Sequence, residues 1–421
     1  TLSSSSAASD VYKRQGMFWE PIRVRDDKLK PQFFTIANNV WGTIQNPVTT
    51  NMILGGYKDF GKSIEVMKEE GKYYISGSDD MLTESYPLRK FHNYIKAKLM
   101  LAVCSSFSKK IKVLDLSIGR GGDIKKYLNK DCNVKLLVGL DISSNYTESC
   151  KRFYYEKKPK PVGIFLRADT GKNILNGECC DINFEGNQGS EYDKKHCSNL
   201  LSIIYDKVKP IDKEYEPVYK KYKGIAKDGF DVVSSQFSMH YYFRTEDTYK
   251  NFLQNLIDNV AVGGYFIGTC YNGMKIYNEF LELEKRKSTE ETSEETSEET
   301  SESSEPSDKY PEKNYNKISY VDTTGNIVYS IEKKYQLDNF DYSEDDIDNM
   351  FGTEIDVYMD SIGQTITEYL VNFDFFKDSM EKVGFELKTP DNIPKKHSTI
   401  LRSDYMLSLI HISEPTRQEA I

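Results

Sequence analysis

Small residues and carboxylates cluster just past the short apolar runs of this chain. The first run leads into Asp115-Leu-Ser117-Ile-Gly119-Arg120-Gly121-Gly122-Asp123, where residues as small as Ser117 and Gly119 let backbone amides approach a bound group. Asp141 closes the next run, 20 residues after Gly121, a separation at which a carboxylate can accept both hydroxyls of a ribose. Asp169 closes the third, placed to accept from an adenine amino group, and Gln236, His240 and Tyr241 close the fourth. Each residue taken singly reads more readily as a capping or surface polar group. Four sets at four successive run ends favour a grip on an adenosine-type cofactor. A dinucleotide loop would need a third Gly or Ala where Ile124 stands, so NAD is disfavoured among adenosine cofactors.

Five β-branched, apolar runs must position these residues: 111–119, 134–143, 162–170, 230–238 and 263–271. Continuous apolar strands separated by helix-length connections imply an α/β fold with a parallel sheet covered on both faces. Ligands then bind beyond the carboxyl ends of the strands, where the polar residues fall. Residues 88–107 read as an amphipathic helix ahead of the sheet. Residues 365–389 read as a helix and a strand, with Gly384 suited to the helix C-cap.

With 421 residues, the chain can bury a sizeable core. No apolar run approaches the roughly 18 residues of a bilayer span, so a soluble protein with no membrane partner is expected. The net charge of -9 is local: residues 288–308 carry eight Glu and Asp308 without a Lys or Arg, leaving the remainder near neutral. This SEET-repeat tract, within an insertion at 284–310, is too polar to offset its ordering entropy and reads as a disordered surface loop. Two runs, KRFYYEKKPKP (151–161) and VYKKYKG (218–224), keep basic, aromatic-rich surfaces available. Seven Cys fit no metal-ligand spacing and no disulfide framework, so the expectations are no metal and an intracellular, reducing compartment.

The segments LRKFHNYIK (88–96), VLDLSIGRGGDIKKY (113–127), VGLDIS (138–143), FLRADT (165–170), FDVVSSQFSMHYYF (230–243) and GGYFIGT (263–269) together resemble the mRNA cap guanine-N7 methyltransferases, in that family's order. The resemblance implies a class I S-adenosylmethionine-dependent methyltransferase: a Rossmann-like, mostly parallel seven-stranded sheet with an N-terminal helical extension. It assigns Lys96 to the cofactor's carboxylate, Asp141 to the ribose, Asp169 to the adenine, and Gln236 with Tyr241 to the methionine side. Ser117 and Gly119 line the cofactor loop, with Ser117 standing where the family usually has a glycine. For the cap, it assigns Arg120, Lys126 and Arg152 to the phosphates, and His240, Tyr241 and Glu368 to the guanine. Glu368 lies in TEYLVNF, which matches a Glu-containing helix of the family. His92, where the family usually has Asn, and Asn93 join the cap-binding set. The implied activity is transfer of a methyl group to N7 of the GpppN guanine, with S-adenosylhomocysteine as product. Guanine N7 has a lone pair and no proton, so no acid or base catalyst is expected. The alternatives are a non-catalytic cap-binding or incomplete module, or a methyltransferase for another nucleoside or small molecule.

Upstream, WEPIRVRDDK (19–28) resembles the last motif of capping guanylyltransferases through Arg25, Asp27 and Lys28. It implies the C-terminal part of a giant-virus type multifunctional capping enzyme. The expected organisation is a guanylyltransferase-like end and linker at 16–50 and the methyltransferase at 51–407. Residues 1–15 and 408–421 read as non-native, adapter-like tails outside the fold. Capped RNA, upstream guanylyltransferase and triphosphatase domains and a small stimulatory subunit are the expected partners. The setting would be host cytoplasm, viral factory or virion for a viral protein, and the nucleus for a cellular one.

Overall fold

The computed structural model describes residues 85–156, 160–184, 187–207, 213–295, 315–322, 325–345, 347–388 and 409–412. The guanylyltransferase-like motif, the linker, the first tail and most of the SEET tract lie outside them. Helix α1 (Tyr86–Cys104) leads into β1 (Ile111–Asp115), the short α2 (Ile124–Tyr127), β2 (Val134–Asp141), α3 (Tyr146–Tyr155) and β3 (Val162–Arg167). A two-residue hairpin, β4 (Asn183–Phe184) and β5 (Asn187–Gln188), precedes α4 (Glu191–Ile204) and α5 (Glu216–Tyr222). Next come β6 (Phe230–Gln236), α6 (Met239–Tyr242), α7 (Glu246–Asn259), β7 (Val260–Thr269) and α8 (Gly273–Glu295). The remainder comprises β8 (Lys317–Val321), β9 (Ile327–Lys333), β10 (Glu354–Met359), β11 (Gln364–Tyr369), α9 (Phe373–Lys382), β12 (Phe385–Lys388) and β13 (Leu409–Ile412).

All five expected strands form, and they lie in one seven-stranded sheet of order β12-β13-β7-β6-β1-β2-β3. β1, β2, β3, β6 and β7 are parallel, while β13 runs antiparallel to β7 and β12. Successive residues of the central strands serve opposite faces. Ile111, Val113 and Leu137 join an apolar cluster with Leu99, Met100 and Val103 of α1. Leu114, Leu136 and Val138 join the second cluster, with Leu201 of α4, Phe252 of α7 and Phe376 of α9. Burial on both faces is why these strands read as continuous apolar runs. The chain leaves β1 towards β2 and β3, then returns to its other side with β6, so the topological switch point lies between β1 and β6.

Three expectations change. Glu368 sits on β11 of a separate four-stranded antiparallel sheet, β11-β10-β9-β8, and not on a helix. The β-branched run Thr365-Ile366-Thr367 favours strand, and β11 pairs with β10 so that Glu368 opposes Ile355. Residues 284–295 of the insertion continue α8, where the Glu282–Arg286 pair at 3.9 Å has the i,i+4 spacing that supports a helix. Finally, Leu409–Ile412, assigned to a tail outside the fold, pair as β13 between β7 and β12. Four residues suffice to bridge two strands whose edges would otherwise stay unpaired. Gly384 ends α9 at φ 91°, as its C-cap assignment requires. Among the described residues, no helix is long and apolar enough to cross a membrane.

Candidate active site

The loop after β1 is built around two charges. Asp115 is buried and accepts from the Tyr127 hydroxyl at 2.9 Å and the Ser117 amide at 3.0 Å. Burial, and then the nearby Asp123, push its carboxyl up to about 7. Gly119 (φ 53°) and Gly121 (φ 75°) turn the chain through left-handed conformations. A Cβ on Gly121 would come 2.6 Å from Ile124 Cδ1, so the loop also depends on close packing there. Asp123 closes it, binding Lys96 Nζ of α1 at 3.0 Å and Lys126 Nζ at 2.5 Å. The two ammonium groups overcome its burial and hold its carboxyl below the ordinary range. Two expected site residues thus meet on one carboxylate to which the sequence reading assigned no role, and Lys126 also donates to a third, Asn93, at Oδ1 and 3.0 Å.

Asp141 faces this loop from the end of β2. Its Oδ2 accepts from the Gly119 amide at 2.7 Å and its Oδ1 from the Ser143 amide at 2.9 Å. Burial still raises its pKa. A Cβ placed on Gly119 would find Asp141 Oδ2 at 3.9 Å and little else, so open space lies beside this carboxylate. That room and those fixed oxygens fit a ribose. Past β3, Asp169 accepts from the Gly171 amide at 3.0 Å, lies 3.8 Å from Lys172 and has its pKa raised by burial.

Across the switch point, Ser117 Oγ lies 2.6 Å from Ser238 Oγ, joining the β1 loop to the end of β6. Gln236 is buried, its amide held between Ser234 Oγ and Thr269 Oγ1 at 3.1 Å each. The next residue, Phe237, adopts φ 54°, a strained conformation for a side chain of its size. Its ring meets His92 at 4.7 Å between centroids, and Lys96 lies 5.8 Å over it. The strain thereby joins α1 to the end of β6.

His240, on α6, is 1% exposed and packs against the rings of Tyr241 at 4.3 Å and Tyr271 at 5.6 Å. Its Nε2 lies 3.5 Å from Oε1 of the equally buried Glu368. Burial drives the imidazole down to about 3 and the carboxyl up to about 8, so at neutral pH both are uncharged and their approach is no ion pair. Tyr271 hydrogen-bonds the Glu368 carboxyl. Among the described residues, His240 Nδ1 and Nε2 and Glu368 Oε2 have no hydrogen-bond partner, at a cost of roughly 1–3 kcal/mol each.

The three basic residues expected at the phosphates divide. Lys126 is tied to Asp123. Arg120 and exposed Arg152 of α3 both act on Glu148, whose carboxyl is lowered first by its hydrogen bond to Lys151 and further by these two arginines. Asp123, Phe237 and Tyr271 were missed. Asp123 lies inside the quoted Gly-Gly-Asp motif, and Tyr271 ends the fifth apolar run, so the same strand-end rule could have found it. The fold also gathers Cys179, Cys180 and Cys197, with Sγ atoms within 4.8 Å of one another, a grouping that linear spacing hid.

Strand order, the glycine loop after β1 and the carboxylate at the end of β2 define a class I S-adenosylmethionine-dependent methyltransferase domain. The family model described as mRNA (guanine-N(7))-methyltransferase domain matches residues 78–406, and the chain belongs to that family. A protein of Acanthamoeba polyphaga mimivirus called "Probable mRNA-capping enzyme" is 27% identical over 413 residues, which cover 91% of this chain and 29% of that protein. The mRNA cap guanine-N(7) methyltransferase of Aspergillus clavatus is 27% identical, covering 66% of this chain and 46% of the relative. That of Eremothecium gossypii is 22% identical, covering 72% and 52%. The chain therefore spans about half or less of each of these relatives.

Proposed function

We propose that this chain methylates N7 of the guanine in a GpppN cap, using S-adenosylmethionine. The observation that carries the reading is the buried Glu368–His240 pair with its unpartnered polar atoms, beside the strand ends that fit an adenosine. Bound guanine offers N1 and N2 hydrogens to a carboxylate, and Glu368 Oε2 lacks such a donor. Adenine offers no matching N1 hydrogen, so this carboxylate would discriminate between the two bases. His240, held neutral by burial, shapes the pocket with Tyr241 and removes no proton.

Bound S-adenosylmethionine supplies a methyl group on a sulfonium sulfur. Asp141 would hold its ribose, Asp169 its adenine and Lys96 its carboxylate, with Ser117 and Gly119 lining the loop. Gln236 braces the methionine side through Ser234 and Thr269, and Tyr241 bounds it. Arg120 and Arg152 would face the cap phosphates, joined by Lys126 with Asn93 and His92. The residues' contribution is alignment and exclusion of water.

By the same reading, guanylyltransferase and triphosphatase activities and a small stimulatory subunit act alongside this domain, in a reducing compartment. The test is incubation of the full chain with radiolabelled S-adenosylmethionine and either GpppA-capped or triphosphate RNA, followed by nucleoside analysis. Labelled 7-methylguanosine from capped RNA alone is expected. Cofactor binding without product would reject the catalytic reading.

A further inference from the structure

The two basic, aromatic-rich runs are distant in sequence and meet in space. They flank a groove of about 680 Å³ along the outer edge of β3, the last strand of the sheet. Phe153, Tyr154 and Lys160 contribute from the first run, Val218, Lys221 and Tyr222 from the second. Gly163 is part of the floor. A Cβ there would come 2.5 Å from the Phe153 ring, so glycine is what lets that ring close onto the strand.

Phe153 is thus tucked in, while Tyr154 and Tyr155 stand 72% and 57% exposed. Lys160 Nζ lies 5.5 Å from the ring centroids of both Phe153 and Tyr154, and Lys221 Nζ lies 5.1 Å from that of Tyr222. Lys221 is exposed in the groove lining and the described residues of the two runs include one carboxylate, Glu156, while the exposed Lys151, Lys220 and Lys223 of the same runs pair with Glu148, Glu216 and Asp206.

The plainer reading is edge protection, since Lys and Pro on an outer strand discourage pairing with another chain. Protection requires charge and gains nothing from adjacent exposed tyrosines, which increase the apolar surface in water. Rings beside cations along a groove suit a polyanion with stackable bases.

We infer that this groove binds the single-stranded RNA body that follows the cap. Bases stack on Tyr154 and Tyr222, and phosphates face Lys221, while Lys160 Nζ, donating to the Phe153 and Tyr154 carbonyls, braces the Tyr154 side of the groove. The RNA's identity as a transcript rests on the function proposed above, whereas binding itself requires no cap. Helix α3 carries both Arg152 and Tyr154, so one element serves the cap-phosphate side and the groove.

The test measures binding of a 5′-hydroxyl single-stranded RNA of about 16 nucleotides to the full chain by fluorescence anisotropy across a salt series. Tyr154→Ala and Lys221→Glu both alter exposed side chains, and thermal melts check that the variants fold. Tyr154→Ala should weaken binding roughly ten-fold, the effect of one stacked base. Lys221→Glu should weaken it similarly and flatten the slope of log affinity against log salt by about 0.7 or more. In methylation assays, KM for capped RNA should rise in both variants while KM for the dinucleotide GpppA stays constant. Loss of RNA binding in the variants of a chain that methylates nothing would uphold the groove and reject the function. Wild-type RNA affinity in both folded variants would overturn the groove, even with GpppA methylated normally, and would leave it as a protein-docking face.

Discussion

The cofactor side and the guanine side of the site solve opposite electrostatic problems. At the first, each buried charge has its partners in place: Asp123 between Lys96 and Lys126, Asp141 on the Gly119 and Ser143 amides. At the second, His240 and Glu368 are stripped of water, forced to their neutral forms and left with unpartnered atoms. The first region is finished before a ligand arrives; the second is incomplete without one. A buried polar atom without a partner is costly, so its retention points to what the fold is shaped to receive.

The largest expected effect tests the unfinished side. Glu368→Gln should lower kcat/KM for capped RNA by on the order of 10²-fold or more, the few kcal/mol of a buried hydrogen-bonding charge, and leave the Kd for S-adenosylmethionine unchanged. The same substitution should hold or raise thermal stability, because it removes a carboxyl that is expensive to ionise in place. Loss of activity together with loss of stability would make Glu368 structural and break the contrast.

The second prediction is a pH dependence. Glu368 is raised to about 8 from an ordinary 4.5, so across that window the ligand-free fold retains a proton that the unfolded chain has released. Its contribution to stability is therefore lost as pH rises from about 4.5 to about 8, and Asp115, raised to about 7, adds a loss of the same sign. Guanine needs the ionised carboxylate, so cap affinity should move the other way, tightening up to about tenfold per unit below pH 8. Titration by calorimetry at several pH values checks this. A flat profile in the wild type would reject Glu368 as the guanine acceptor.

The contrast also sorts what the sequence could reveal. Asp141 and Asp169 close continuous apolar runs, so local pattern and the strand-end rule located them, whereas Lys96 on α1 and Lys126 on α2 were found only by resemblance. Glu368 was found by resemblance but put on the wrong element. Its strand carries a β-branched run, yet its burial comes from packing against α6, far away in sequence, which no local pattern encodes. Leu409–Ile412 were excluded because residues 408–421 show no helical or strand periodicity and read as an adapter-like tail, whereas the place of β13 in the sheet comes from pairing with β7 and β12.

On the finished side, Asp141→Asn should raise the Kd for S-adenosylmethionine roughly 10- to 150-fold, the 1.5–3 kcal/mol of hydrogen bonds to a charged group. KM for GpppA should hold constant at saturating cofactor. An equal loss in both would mean that the two halves of the site are not separable.

The smallest effect concerns Ser117, which stands where the family usually has glycine. A side chain there could crowd the cofactor loop, but the Ser117 hydroxyl lies against Ser238 Oγ, which in turn lies 2.7 Å from Ser235 Oγ. The three hydroxyls tie the β1 loop to the end of β6 across the switch point. Ser117→Ala should therefore cost about 1 kcal/mol of stability, seen as a modest fall in Tm, and change the cofactor Kd by less than about threefold. A much larger change in Kd at constant Tm would place that hydroxyl on the cofactor. Ser117 would then belong with the unfinished groups, although its observed hydrogen bond groups it with the satisfied ones.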